Sequence, residues 1–211
     1  MPLTRFNRLE RDRQRRLLAA AAQEFAAEGY EGASLGWIAE EAGFSKPALY
    51  YYFEDKADLY ATVVREAWQK LSPQGRIDLQ SLDRDTFWPA VEAFHQASYE
   101  RSREEPWLLA VWKLAYHPPP DGAAAGAVAE VFEAGRDFLK ALMRRGQELG
   151  VVRRDVPVDL LIAVFTGADD SADHWLADQW ESLGFDEVAR LSRRVFEGMR
   201  LLVSPPARQK A

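Results

Sequence analysis

The nine residues Ser45-Lys46-Pro47-Ala48-Leu49-Tyr50-Tyr51-Tyr52-Phe53 gather a hydroxyl, an ammonium and three phenols into one short run. Such groups hydrogen-bond phosphates and base edges. At helical spacing Leu49 and Phe53 share one face, which leaves Pro47, Ala48 and Tyr51 opposite and Lys46, Tyr50 and Tyr52 on the flanks. A second group, Asp169, Asp170, Asp173, His174 and Asp178, sets Asp170 and His174 four residues apart, where two metal ligands share a helix face. The pair has no third ligand in sight, so no metal and no other cofactor is expected; a solvated or interface face is the commoner use of such charge. A third group is aromatic: Trp68, Phe87, Trp88, Phe94, Tyr99, Trp107, Trp112, Tyr116 and Phe132, with His95, Gln96 and His117 nearby in sequence. Large rings with a few polar groups suit a pocket for an aromatic or lipophilic small molecule, and Trp68, Trp88, His95, Tyr99, Trp107, Trp112 and Tyr116 are the candidate ligand-binding residues. Any one of them also serves as plain core. Catalysis has no comparable set: the chain has no cysteine, three dispersed histidines, no phosphate-binding glycine loop and no G-x-S-x-G elbow.

The elements that position these groups are helices throughout, because apolar residues recur at helical spacing and period-two alternation is nearly absent. A first helix is predicted over about Arg8–Ala27, ended by Gly29. Ser34 caps a short helix through Ala42, stopped by Gly43. Ser45 caps a third of about seven residues, with Pro47 in its first turn, and Asp55 caps a fourth running to Leu71. Ser72-Pro73-Gln74-Gly75 breaks the pattern. Five longer helices follow, over about Thr86–Arg103, Pro106–Tyr116, Gly126–Leu149, Val158–Gln179 and Asp186–Val203. The expected organisation is a compact helix-turn-helix module over residues 1–56, a larger helical domain over 57–203, and a disordered tail over 204–211.

With 211 residues, 47% of them hydrophobic, the chain can bury a substantial core. It has no long uncharged apolar run and no secretory signal pattern, so the cytoplasm is the expected location. The net charge of −6 disguises an uneven distribution. Residues 1–16 hold six arginines against Glu10 and Asp12, whereas residues 57–211 hold 19 basic and 24 acidic side chains. A basic end of this kind is either a solvated terminus or an arm for nucleic acid.

The segment Ala39 to Phe53 with Asp55-Lys56, and Phe25-Ala26-Ala27-Glu28-Gly29-Tyr30 with Ser34-Leu35 before it, closely resembles the DNA-binding domain of the TetR family of bacterial repressors. Glu148 to Pro157 resembles the segment these proteins place before the penultimate helix. The resemblance implies phosphate contacts at Ser34 and Ser45, base-edge contacts at Lys46, Pro47, Ala48, Tyr50 and Tyr51, and phosphate contacts at Tyr52 and Lys56. Tyr52 stands where the family commonly has histidine, and Gly36 offers no side chain to a base. Direct readout is therefore thin, and Arg5, Arg8 and Arg11 could supplement it from a minor groove. The resemblance also implies that the last two helices pair across a two-fold axis, through Leu161, Phe165, Ala172, Leu191 and Val195; use of those stripes as internal core is the alternative. The function implied is a ligand-responsive regulator, most often a repressor, that binds a palindromic operator as a homodimer and is released by a small effector. A helical ligand-binding or scaffold protein without operator binding is the competing reading.

Overall fold

The computed structural model describes residues 5–72, 76–116, 119 and 122–206, apart from the side chains of residues 112, 113, 115, 116 and 181. After a 3-10 turn over Phe6–Arg8, the chain forms α1 (Arg11–Gly32), α2 (Leu35–Glu41), α3 (Lys46–Tyr52), α4 (Lys56–Leu71), α5 (Phe87–Glu104), α6 (Trp107–Tyr116), α7 (Gly122–Leu149), α8 (Val158–Leu183) and α9 (Phe185–Val203). The described residues contain no strand. None of their helices is long and apolar enough to cross a membrane. The expected all-α class holds, and most helix ends fall within a few residues of the sequence reading. Gly29 does what its position suggested: its φ of +69° ends the main stretch of α1, and a short extra turn follows.

The chain packs as two units, Met1–Leu71 with Arg101–Glu133 and Ser72–Glu100 with Ala134–Ala211. This grouping departs from the expected break at residue 56. In the first unit, Leu17, Ala21 and Phe25 of α1 meet Ile38 of α2, Leu49 of α3, and Leu59 and Val63 of α4 in one core, which Trp107, Leu108 and Val111 of α6 complete. The apolar face of α4 is spent inside this core, so α4 packs with the DNA-binding helices. In the second unit, Phe87 and Val91 of α5, Leu142 and Met143 of α7, Leu161, Ile162 and Phe165 of α8, and Phe196 and Met199 of α9 make a separate core. Helix α7 approaches its neighbours closely at Gly146, where a Cβ would stand 2.4 Å from Val152 Cγ2 and 2.7 Å from Phe87 Cζ.

Two caps set the geometry of the first unit. Ser34 Oγ accepts from the Trp37 amide at 3.3 Å, while the Ser34 amide donates to buried Glu24 at 2.8 Å. At the start of α4, Asp55 Oδ1 accepts from the Asp58 amide at 2.8 Å and Asp58 Oδ2 accepts from the Glu54 amide at 3.3 Å, a reciprocal capping arrangement.

Candidate nucleic-acid interface and effector region

A seven-residue helix cannot hold its own shape in water, so α3 depends on its neighbours. Leu49 and Phe53 turn inward and are buried. The opposite side faces solvent: Tyr50 is 51% and Tyr51 53% exposed, beside exposed Ser45, Lys46 and Pro47 and half-buried Ala48. Tyr52 is half-buried, its ring edge-on to Phe44 at 6.0 Å and to Tyr51 at 5.1 Å. Ser45 occupies the N-cap of α3 without making a capping hydrogen bond, whereas the Ser34 hydroxyl is engaged in its own cap. Trp37 of α2 is 42% exposed.

Lys56 has a different setting from the one the sequence suggested. Its Nζ donates to the Glu31 carbonyl at 2.8 Å and the Ala33 carbonyl at 3.3 Å and lies 5.1 Å from the Tyr30 ring centroid. The ammonium is directed at the end of α1, because that end leaves carbonyls without helical partners.

Sequence reasoning did not find the anchor of the basic arm. Phe6 is 1% exposed, its ring 5.0 Å from Phe53, and Gln14 donates to the carbonyls of Phe6 and Leu9 at 2.8 and 3.0 Å. The arm is thereby tied against α3. The guanidinium of Arg5 lies 4.5 Å from the Tyr51 ring centroid and that of Arg13 4.5 Å from Phe44. A lone phenylalanine among arginines was the available signal.

The aromatic set does not form one group. Trp107 and half-buried Trp68 belong to the first unit, while Trp88, His95 and Tyr99 belong to the second. The side chains of Trp112 and Tyr116, and His117, lie outside the described residues. Trp88 Nε1 donates to the Val151 carbonyl at 3.3 Å. The Tyr99 hydroxyl donates to Asp173 Oδ1 at 2.5 Å, and its ring stacks on Trp180 at 6.4 Å between centroids. His95 Nε2 stands 3.5 Å from Asp169 Oδ1, with the His95 ring 5.0 Å from that of Phe196. Burial, then the carboxylates of Asp169 and Asp170, push Asp173 well above the usual carboxylate range despite the hydrogen bond from Tyr99. Burial and the Asp169 charge likewise raise Asp170. His174 faces Asp178, its Nε2 3.8 Å from Oδ2. The groups that converge are not the weighed pair Asp170 and His174 but His95, Asp169 and Asp173, whose ligand atoms lie within 4.8 Å of one another.

Burial divides the expected dimer residues. Leu161 and Phe165 lie in the core of their own unit, Val195 packs against it, and Ala172 and Leu191 are half-buried. The exposed apolar positions on the same helices are Leu160, Val164 and Trp175 of α8 and Leu201 and Leu202 of α9.

A short helix with a locked inner pair, a polar outer face and a preceding helix joined to it across a glycine turn defines a helix-turn-helix DNA-binding protein. Residues 17–63 match the family described as bacterial regulatory proteins, tetR family. The chain is 34% identical over 175 residues to the HTH-type transcriptional activator FasR of Mycolicibacterium smegmatis, covering 82% of this chain and 76% of FasR. It is 27% identical over 149 residues to the HTH-type transcriptional repressor AcnR of Corynebacterium diphtheriae, covering 71% of this chain and 73% of AcnR. Its fold is shared with FadR of Bacillus subtilis, whose crystal structure is in complex with stearoyl-CoA, at a TM-score of 0.70 and 17% identity, over 87% of this chain and 96% of that one. The chain belongs to the TetR family of transcriptional regulators. Its relatives are regulators of transcription, not enzymes; the family binds DNA as dimers and responds to small molecules.

Proposed function

We propose that the protein is a cytoplasmic repressor that binds a palindromic operator as a homodimer and leaves it when a lipophilic or aromatic effector binds. The observation that carries this reading is the outer face of α3, where Lys46, Pro47, Tyr50 and Tyr51 point away from the core that holds Leu49 and Phe53. On it, Lys46, Pro47, Ala48, Tyr50 and Tyr51 read base edges, and Ser45 and Tyr52 contact flanking phosphates. Arg5 and Arg8 lie in the anchored arm and reach the neighbouring minor groove. Ser34 adds a phosphate contact by donating its hydroxyl proton while its oxygen caps the Trp37 amide, and Lys56 acts chiefly by holding the corner between α1 and α2.

The two-fold interface in this reading uses Leu160, Val164 and Trp175 with Leu201 and Leu202, the large apolar side chains that α8 and α9 leave exposed. A lipophilic effector is supported by the aromatic lining around His95 and Tyr99 and by the stearoyl-CoA bound to FadR. The test is operator binding by fluorescence anisotropy on DNA from upstream of the chain's own gene, together with a promoter fusion in cells that have or lack the protein. Sequence-specific binding and a promoter that rises on deletion are expected. Absence of specific binding would leave the helical scaffold reading. Activation is the second reading, favoured by the match to FasR, and a promoter that falls on deletion would establish it.

A further inference from the structure

We propose that His95, Asp169 and Asp173 form a three-ligand site for a divalent first-row transition ion such as zinc. All three belong to the second unit, His95 on α5 and the two aspartates one turn apart on α8. Imidazole nitrogen with carboxylate oxygen is the donor set of such ions.

Distance favours an ion over a larger organic cation. Metal–ligand bonds of about 2.0–2.2 Å in a tetrahedral site put ligand atoms roughly 3.3–3.6 Å apart. His95 Nε2 and Asp169 Oδ1 are separated by 3.5 Å, and the whole ligand set falls within 4.8 Å. A gap of that size takes one atom between its donors.

The surroundings carry the marks of a ligand site. The 3.5 Å spacing between His95 Nε2 and Asp169 Oδ1 is long for a hydrogen bond, so the two groups face each other without closing. An ion between them bridges that gap. The Tyr99 hydroxyl fixes Asp173 from behind at 2.5 Å, as outer partners orient metal ligands. Asp170, one residue on from Asp169, adds negative charge beside the group. Three protein ligands leave a coordination position for water or for a donor atom of a small molecule.

The test uses the full chain, free of any histidine tag and stripped with chelator, titrated with Co2+ and read by its visible d–d absorption. One Co2+ per chain is expected, displaced by Zn2+ and untouched by Mg2+. Asp169→Asn and His95→Ala should each lower Zn2+ affinity by more than about 100-fold, and Tyr99→Phe by about 10- to 100-fold. His174→Ala should leave affinity unchanged, and circular dichroism confirms the fold of each variant. The proposal is overturned if the folded wild-type chain takes up neither ion at millimolar concentration, if Asp169→Asn leaves the affinity unchanged, or if His174→Ala lowers it as much as His95→Ala does.

Discussion

Lys46 and Lys56 are ten residues apart and carry the same charge, yet their surroundings give them different work. The Lys56 ammonium spans two carbonyls at the end of α1, so Lys56→Ala removes a charged hydrogen bond at a half-exposed site and should cost about 1 kcal/mol, the lower end of such bonds. That corresponds to a thermal midpoint about 2–4 °C lower in a chain of this size. Lys46→Ala, on the exposed face of α3, should leave the midpoint unmoved and change base preference, measured on specific and scrambled duplexes. Phe6 offers a third case at this scale. Its ring fills space against Phe53, and Phe6→Ala should cost about 3–5 kcal/mol if the site does not collapse. Urea unfolding measures that loss, and operator affinity should fall with it, because the same ring ties the arm to α3.

Helix α4 meets the start of α6 through a partly buried ion pair, Lys70 Nζ to Glu105 Oε1 at 2.6 Å, while Trp107 Nε1 donates to Glu105 Oε2 at 2.9 Å. Burial alone would raise the Glu105 carboxyl, but the hydrogen bonds from Lys70 and Trp107 outweigh it and hold the group below its usual range. A lowered carboxyl stabilises the folded state above the unfolded-state pKa, and that contribution is lost as pH falls through the folded value. Glu105→Gln should therefore destabilise by about 1 kcal/mol at pH 7, discounted for partial exposure, with the difference from wild type vanishing as pH falls below the lowered folded-state value. Denaturation at several pH values checks both the size and the sign. Elements governed by near neighbours were legible in the sequence: Ser34, Asp55, Gly29 and the inward pair Leu49 and Phe53 act over three or four residues. Faces were less legible. Leu160 and Leu161 are adjacent on a broad apolar arc of α8, and periodicity does not say which of them a partner helix will cover. The approach of His95 to Asp169 joins residues far apart in the chain, which no local pattern encodes.

At the scale of the molecule, the exposed apolar face of α8 and α9 sets the expected assembly. Trp175 is 53% and Leu201 69% exposed. Val164→Asp and Trp175→Asp should each yield folded monomers by light scattering and weaken operator binding, whereas Leu161→Asp should unfold the second unit instead, since Leu161 is core. Effector and operator must also oppose each other equally. A ligand that lowers operator affinity by a typical 5- to 150-fold, or about 1–3 kcal/mol, should lose the same factor of its own affinity when operator is present. Paired titrations at one salt concentration measure this factor, and an operator affinity unchanged by bound ligand would contradict the coupling.

The burial of Phe6 holds the start of the described chain against α3. Arg5 rests on Tyr51, so residue 5 lies beside α3. A purification tag fused at the N-terminus would be tethered a few residues from the face proposed to meet DNA, and a polyhistidine tag would bring both spurious positive charge at low pH and metal-binding imidazoles. Affinities measured with such a fusion would belong partly to the tag. The far end of α9 belongs to the other packing unit, and a removable tag after Ser204 is the better handle for purification.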